Sequence, residues 1–225
     1  MRSTRFLSVA TMMGAIAVLP TVASAQLAGS VVFTPYAGAY APANDIASAF
    51  SSRVVAKQKA ASVFGANLSY WLNDRVAVEG GAAYAKSDIK WSGRIGESGN
   101  VLDETVAQNA HTWMGSAKLI FQLFPEGSDY NMRFGAGPAL ITRSGPAFTP
   151  DNGTFSGLTD IGAAFSLCTR LSITPNFGIR MRAEDYFYQS ELAFKGRTAA
   201  EKLSLGSKMQ HDFIFSTGLQ IILSR

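Results

Sequence analysis

Residues 63–87 read Val63-Phe-Gly-Ala-Asn-Leu-Ser-Tyr-Trp-Leu72-Asn73-Asp74-Arg75-Val76-Ala-Val-Glu79-Gly-Gly-Ala-Ala-Tyr84-Ala-Lys86-Ser87. Phe64, Ala66, Leu68, Tyr70 and Leu72 share one parity, while Gly65, Asn67 and Ser69 take the other. A period of two places successive side chains on opposite faces of a strand. Asn73-Asp74 interrupts the pattern at a tight turn. Beyond it Val76, Val78, Gly80, Ala82 and Tyr84 form an apolar face against Ala77, Glu79, Gly81, Ala83 and Ala85. The stretch is a β-hairpin with one greasy and one small or charged face.

The same alternation recurs on both sides. Trp113, Gly115, Ala117, Leu119, Phe121 and Leu123 oppose Ser116, Lys118, Ile120 and Gln122, and a turn with Pro125, Gly127 and Asp129 follows. In Tyr130–Leu140, Met132, Phe134 and Ala136 oppose Asn131, Arg133, Gly135 and Gly137. Leu158–Leu171 sets Ile161, Ala163, Phe165, Leu167 and Leu171 against Asp160, Gly162, Ser166, Cys168 and Arg170. After a turn at Thr174-Pro175-Asn176, Phe177–Tyr188 sets Phe177, Ile179, Met181, Ala183 and Phe187 against Gly178, Arg180, Arg182, Glu184 and Tyr186. Val31–Ala41, whose facing the pattern leaves open, and Met209–Leu223 bring the count to eight strands.

The connections alternate in length: long at 42–61, 88–111, 142–157 and 189–207, short at 73–74, 124–129 and 172–176. Short turns at one end and long loops at the other mark a transmembrane up-and-down barrel. A tilted strand of about ten residues covers the roughly 25 Å apolar band that such a barrel needs. Tyr70, Phe121 and Phe177 fall toward the short turns and Tyr84, Trp113 and Phe187 toward the long loops, which predicts two aromatic girdles. No apolar run of helical spanning length follows residue 25.

Charge placement decides which face is inside. Glu79, Lys118, Arg133, Asp160, Arg170, Arg180, Arg182 and Glu184 all lie opposite the bulky apolar parity, whose own charges, Lys86 and Asp185, sit near strand ends. An arginine or lysine on a lipid-facing midplane costs about 2–4 kcal/mol. The eight charges are therefore expected in the lumen as a structural plug, centred on Glu79 and Glu184 with Arg133, Arg180 and Arg182.

The first 25 residues have the layout of a cleaved secretory signal: Arg2 and Arg5, an apolar stretch from Phe6 to Leu19, and Ala23-Ser24-Ala25. Residues 26–225 are expected to be one barrel domain. Removing Arg2 and Arg5 lowers 20 basic residues to 18 against 16 acidic ones, and the formal charge from +4 to +2, so nucleic acid is not an implied partner. Cys168 is the single cysteine, expected to be buried and unreactive, and His111 and His211 form no metal-ligand spacing; no cofactor or metal is expected.

The chain resembles the small eight-stranded outer-membrane barrels, the class of the transmembrane domain of outer-membrane protein A and of the opacity-type adhesins. The resemblance is carried by Pro35-Tyr36-Ala37-Gly38, by the 68–81 hairpin and by the last strand. Ser216, Gly218, Ile221 and Leu223 occupy the defined places of the class's C-terminal assembly signal, with Leu223 in place of the usual aromatic and Ser224-Arg225 beyond it. The resemblance implies outer-membrane lipids and lipopolysaccharide as surroundings, and the barrel-assembly machinery as a partner in biogenesis. It also implies a possible extracellular ligand for the loops.

Four functions fit such a chain. The first is a non-enzymatic barrel that anchors four long surface loops for envelope integrity or adhesion. In the 42–61 loop, Arg53, Lys57 and Lys59 are candidates for lipopolysaccharide phosphates. The second is a narrow pore. The third is a lipid A-modifying enzyme, but His211 and Asp212 are strand neighbours pointing to opposite faces, and no His-x-Ser pattern is present. The fourth, a soluble lipocalin-like carrier, reverses the facing so that the apolar residues line a cavity. Two measurements follow. Intact mass of the mature protein is expected to show a chain starting at Gln26, and the protein is expected to stay with membranes under urea extraction, whereas a lipocalin-like carrier would be released.

Overall fold

A computed structural model describes residues 28–49, 54–94, 101–102, 108–124, 131–149, 153–196 and 202–224. The signal segment, Arg53 and the turn residues Pro125, Gly127 and Asp129 lie outside the described residues.

Eight long strands close into one antiparallel ring: β1 (Val31–Pro42), β4 (Ala61–Trp71), β5 (Val76–Arg94), β7 (Gln108–Gln122), β8 (Met132–Ser144), β10 (Thr159–Ser172), β11 (Phe177–Gly196) and β12 (Lys202–Ser224), which pairs back with β1. Four short strands decorate the long-loop end. β2 (Ala47–Ala49) pairs with β3 (Val54–Gln58), β3 and β6 (Val101–Leu102) extend the sheet on β5, and β9 (Gly153–Ser156) pairs with the upper part of β11.

Following lateral partners around the ring, Val31 leads through Tyr70, Val78, Leu119, Ala136, Phe165, Asp185 and Phe213 to Ala41. The circuit returns ten residues higher on β1 than it began. A shear of ten over eight strand spacings of about 4.8 Å tilts the strands by about 40° and makes each residue rise about 2.5 Å along the barrel axis. The ten-residue offset therefore spans about 25 Å, the height of an outer-membrane apolar band.

Facing follows the parity read from the sequence. Phe64, Leu68, Tyr70, Leu119, Phe165, Leu167 and Phe215 point outward and are exposed, while all eight charged positions named above are buried inside. The undetermined facing of β1 is settled with Val32, Thr34, Tyr36 and Tyr40 inward. Tyr70, Phe121 and Phe177 are exposed near the short turns, and Trp113 near the long loops. Two glycines are demanded by close approach: a Cβ on Gly137 would sit 1.9 Å from the Ala117 carbonyl oxygen, and one on Gly38 would sit 2.0 Å from that of Phe215. Proline interrupts the ladders beside both, since β1 lacks a paired residue at Thr34 and Pro35 against β12, and β7 lacks one at Ala117 and Lys118 against β8.

The loop boundaries require correction. β5 runs to Arg94 and β11 to Gly196, β12 begins at Lys202, β7 begins at Gln108, and β8 continues past Leu140 to Ser144. Much of the segments read as loops is strand that rises above the apolar belt, where water on both faces removes the alternation that marks a strand.

A charge at mid-belt tests the placement. Leu119 lies outward between Val78 and Ala136, about 9 Å above the level of Val31. Leu119→Arg is expected to lower the stability of the barrel refolded in phosphatidylcholine vesicles by about 2–4 kcal/mol. The loss would appear as a lower urea midpoint, and an unchanged midpoint would place this face in water.

Candidate functional site: a layered lumen

Inward side chains fill the barrel in layers. Nearest the short turns, Val32, Trp71, Ala77, Ile120 and Ile222 form an apolar floor. The guanidinium of Arg133 lies 4.6 Å over the Trp71 ring, and Arg170 runs beside Gly178.

Above the floor is the central charge cluster, made by β4, β5, β7 and β11. Arg180 donates to Glu79 Oε2 at 2.5 Å, and Ser69 Oγ donates to the same oxygen at 2.8 Å. Lys118 and Arg182 approach Glu79 Oε1, each at 3.5 Å. Lys118 also donates to Glu184, while Arg182 reaches Glu184 Oε2 at 3.2 Å and Asn67 Oδ1 at 2.9 Å. Two carboxylates are thus shared by three cations, and every one of the five side chains is almost wholly removed from solvent. Sharing matters because a buried charge without a counter-charge loses far more solvation than a single hydrogen bond restores. Cys168 adjoins this layer, buried, its sulfur accepting from Arg180 at 3.2 Å.

Next comes an apolar and aromatic layer that includes Tyr36, Val63, Met114, Ile141, Tyr186 and Ile214. A second polar cluster follows at the level of the upper girdle. Arg143 donates to Asp160 Oδ2 at 2.6 Å and to the Tyr188 hydroxyl, and that hydroxyl donates to Asp212 Oδ2 at 2.6 Å. Gln58 donates to Ser87 and Thr112 on the opposite wall. Ile46, Ala56, Ile89, Ala110, Phe148 and Leu192 close the top, helped by a 3-10 turn at Pro146–Phe148 that tucks Phe148 into the mouth.

Of the eight charges singled out in the sequence, five meet: Glu79, Lys118, Arg180, Arg182 and Glu184. Arg133 lies over Trp71 on the floor side of the cluster, and Asp160 belongs to the upper cluster. Arg143 was hidden in a segment read as loop, although Ile141 and Arg143 continue the inward parity of β8 past Leu140. Asp212 faces the lumen, as its opposition to His211 requires. His211 instead faces outward, its Nδ1 2.9 Å from Asp185 Oδ2 and its ring against Phe187. Among the described residues, no group of His, Cys, Asp and Glu is arranged to hold a metal.

Of the last-strand residues singled out in the sequence, Ser216 and Gly218 face inward while Leu223 is exposed on the outer wall. Gly218 lets β1 pass close by, since a Cβ there would lie 2.6 Å from the Pro35 carbonyl oxygen.

No family model matches the sequence, and no curated protein does. Solved structures do resemble the fold. The crystal structure of the outer membrane protein OprG from Pseudomonas aeruginosa aligns with a TM-score of 0.64 at 13% identity, covering 87% of this chain and 97% of that one. The solid-state NMR structure of outer membrane protein AlkL in lipid bilayers aligns with a TM-score of 0.58 at 12% identity, covering 93% and 97%. With its closed ring of eight strands, apolar outer wall and charged interior, the chain has the fold of the small outer-membrane β-barrels.

Proposed function

We propose that this protein is a non-enzymatic outer-membrane scaffold: a sealed barrel that holds the stiff hairpins of its long-loop end at the cell surface for envelope contact or partner binding. The filled lumen carries this reading. Charged layers alternate with apolar ones from Trp71 at the floor to Phe148 at the mouth, and the charges of the central and upper clusters are bonded within each cluster. On this reading the central cluster braces opposite walls, and Arg143 ties β8, β10 and β11 together below the mouth.

The His211–Asp185 pair fits the same account. Asp185 lies on the outer wall between Phe165 and Phe213, where an ionised carboxylate needs a partner, and His211 reaches it from the level of the upper girdle. Ser216, Gly218, Ile221 and Leu223 would serve recognition by the assembly machinery, the outward Ile221 and Leu223 offering an apolar edge. The described hairpin strands above the belt suit binding because they are held by strand pairing and by the Ile46–Phe148 cluster, a rigid mount for surface contacts.

Single-channel recording in a planar bilayer tests the reading directly. The purified barrel is expected to give no openings above leak, and resolved unitary steps would replace the scaffold with a pore. The structural role of the charges has its own test. Glu79→Gln leaves three cations around one remaining carboxylate and is expected to destabilise the folded barrel by about 3–5 kcal/mol, the range for breaking a buried pair. A urea midpoint equal to wild type would mean that the cluster does not brace the wall.

A further inference from the structure

The outer wall of β3 and β5 carries an uneven set of charges above the aromatic girdle. On β5 the outward positions above Tyr84 are Lys86, Asp88 and Lys90; β3 adds Lys57 alongside, and Lys59 follows just past its end. The register sets Lys57 directly opposite Lys90. Like charges facing each other across a ladder destabilise it. The single acid of the group, Asp88, is engaged by Lys59 at 3.4 Å. At the foot of the column the Tyr84 hydroxyl lies 2.6 Å from His111 Nδ1 and its ring 4.7 Å from that of Trp113, an interfacial anchor of the kind found at headgroup level.

Height and one-sidedness give the column a direction. At about 2.5 Å of axial rise per residue, Lys86 stands about 5 Å above Tyr84, the Lys59–Asp88 pair about 10 Å and the Lys57–Lys90 pair about 15 Å. That range begins at the lipid headgroups and climbs beyond them. On the other side of the ring, the described outward residues of β8, β10 and β11 within about 10 Å above the girdle are Thr142, Ser144, Thr159, Gln189 and Glu191, with no base among them, and Lys195 stands farther out, about 20 Å above Phe187. A lysine ladder on the wall, rather than at the hairpin tips, faces what surrounds the barrel sideways.

We infer that this wall docks the phosphorylated sugar headgroups of outer-leaflet glycolipid, with Lys86 meeting a phosphate next to the acyl chains and Lys57, Lys59 and Lys90 meeting anionic groups farther out. Bound phosphates relieve the Lys57–Lys90 repulsion, and flexible ammonium groups suit a point-like anion. The inference rests on the outer-membrane reading given above.

Native mass spectrometry of the barrel in zwitterionic detergent tests it, with a bisphosphorylated acyl-disaccharide glycolipid and its dephosphorylated form as probes. Wild type is expected to bind the phosphorylated probe at least tenfold more tightly. A variant carrying Lys57→Gln, Lys59→Gln, Lys86→Gln and Lys90→Gln is expected to lose roughly a hundredfold or more in affinity, since each lysine near an anionic lipid surface contributes roughly fivefold. Lys195→Gln with Lys208→Gln, placed elsewhere on the loop end, is expected to bind as wild type does.

Equal affinity for the two probes, or full binding by the four-lysine variant, would overturn the site. So would a variant that keeps the glycolipid but loses a soluble sulfated polysaccharide, which would assign the ladder to a surface glycan. The variant's folding is read separately from its heat-modifiable gel mobility, and Lys57→Gln with Lys90→Gln alone is expected to show a smaller loss in the same direction. Wild type that fails to float with phosphatidylcholine vesicles would overturn the membrane reading itself, an outcome distinct from an inserted barrel that ignores phosphate.

Discussion

A strand in hydrocarbon has no water to satisfy its backbone, so the ring must close before anything else about the molecule can hold. Closure through the β1–β12 seam pairs the two ends of the sheet, and the ten-residue shear sets tilt, height and internal width together. The inverted polarity then follows. With lipid outside, the apolar parity turns outward, and the charged parity is confined to a space too narrow to hydrate it. The interior must neutralise itself, and the clusters around Glu79 and Arg143 are how it does so.

These pairings depend on registers that no local stretch of chain specifies. Glu79 and Arg180 lie 101 residues apart, and Arg182 reaches Asn67 across 115. They meet because the intervening strands carry a cumulative offset around the ring. Changing the register of one hairpin by two residues would preserve every facing and still separate Arg180 from Glu79. The charge network is therefore also a check on register, since it closes only when all eight ladders are aligned.

The alternation in residues 63–87 and the parity of the charges were legible because the two faces meet different solvents. Where both faces meet water, the contrast disappears. Lys86, Asp88 and Lys90 on the outside of β5 look no more like strand than the turn residues do, so the 88–111 segment read as a loop. The same blindness hid Arg143, which lies just above the belt and anchors the upper cluster. β1 stayed ambiguous for a different reason: Val32, Phe33, Pro35 and Tyr36 put apolar side chains on both faces, and only its neighbours decide which is inside. Partner choice was illegible throughout, as with Arg133 going to Trp71 and Asp160 to Arg143.

The interrupted β1–β12 ladder has a consequence in time. Every other joint of the ring links strands consecutive around the chain, whereas this one joins the first strand to the last. It has to wait until β12 has followed β1 across the intervening strands, which gives this step the long-range character of a slow folding event. Pro35 also withholds a backbone donor from that joint. The seam is thus the last to zip shut, and it closes around a gap at Thr34 and Pro35 that the later pairs from Tyr36 to Pro42 must bridge.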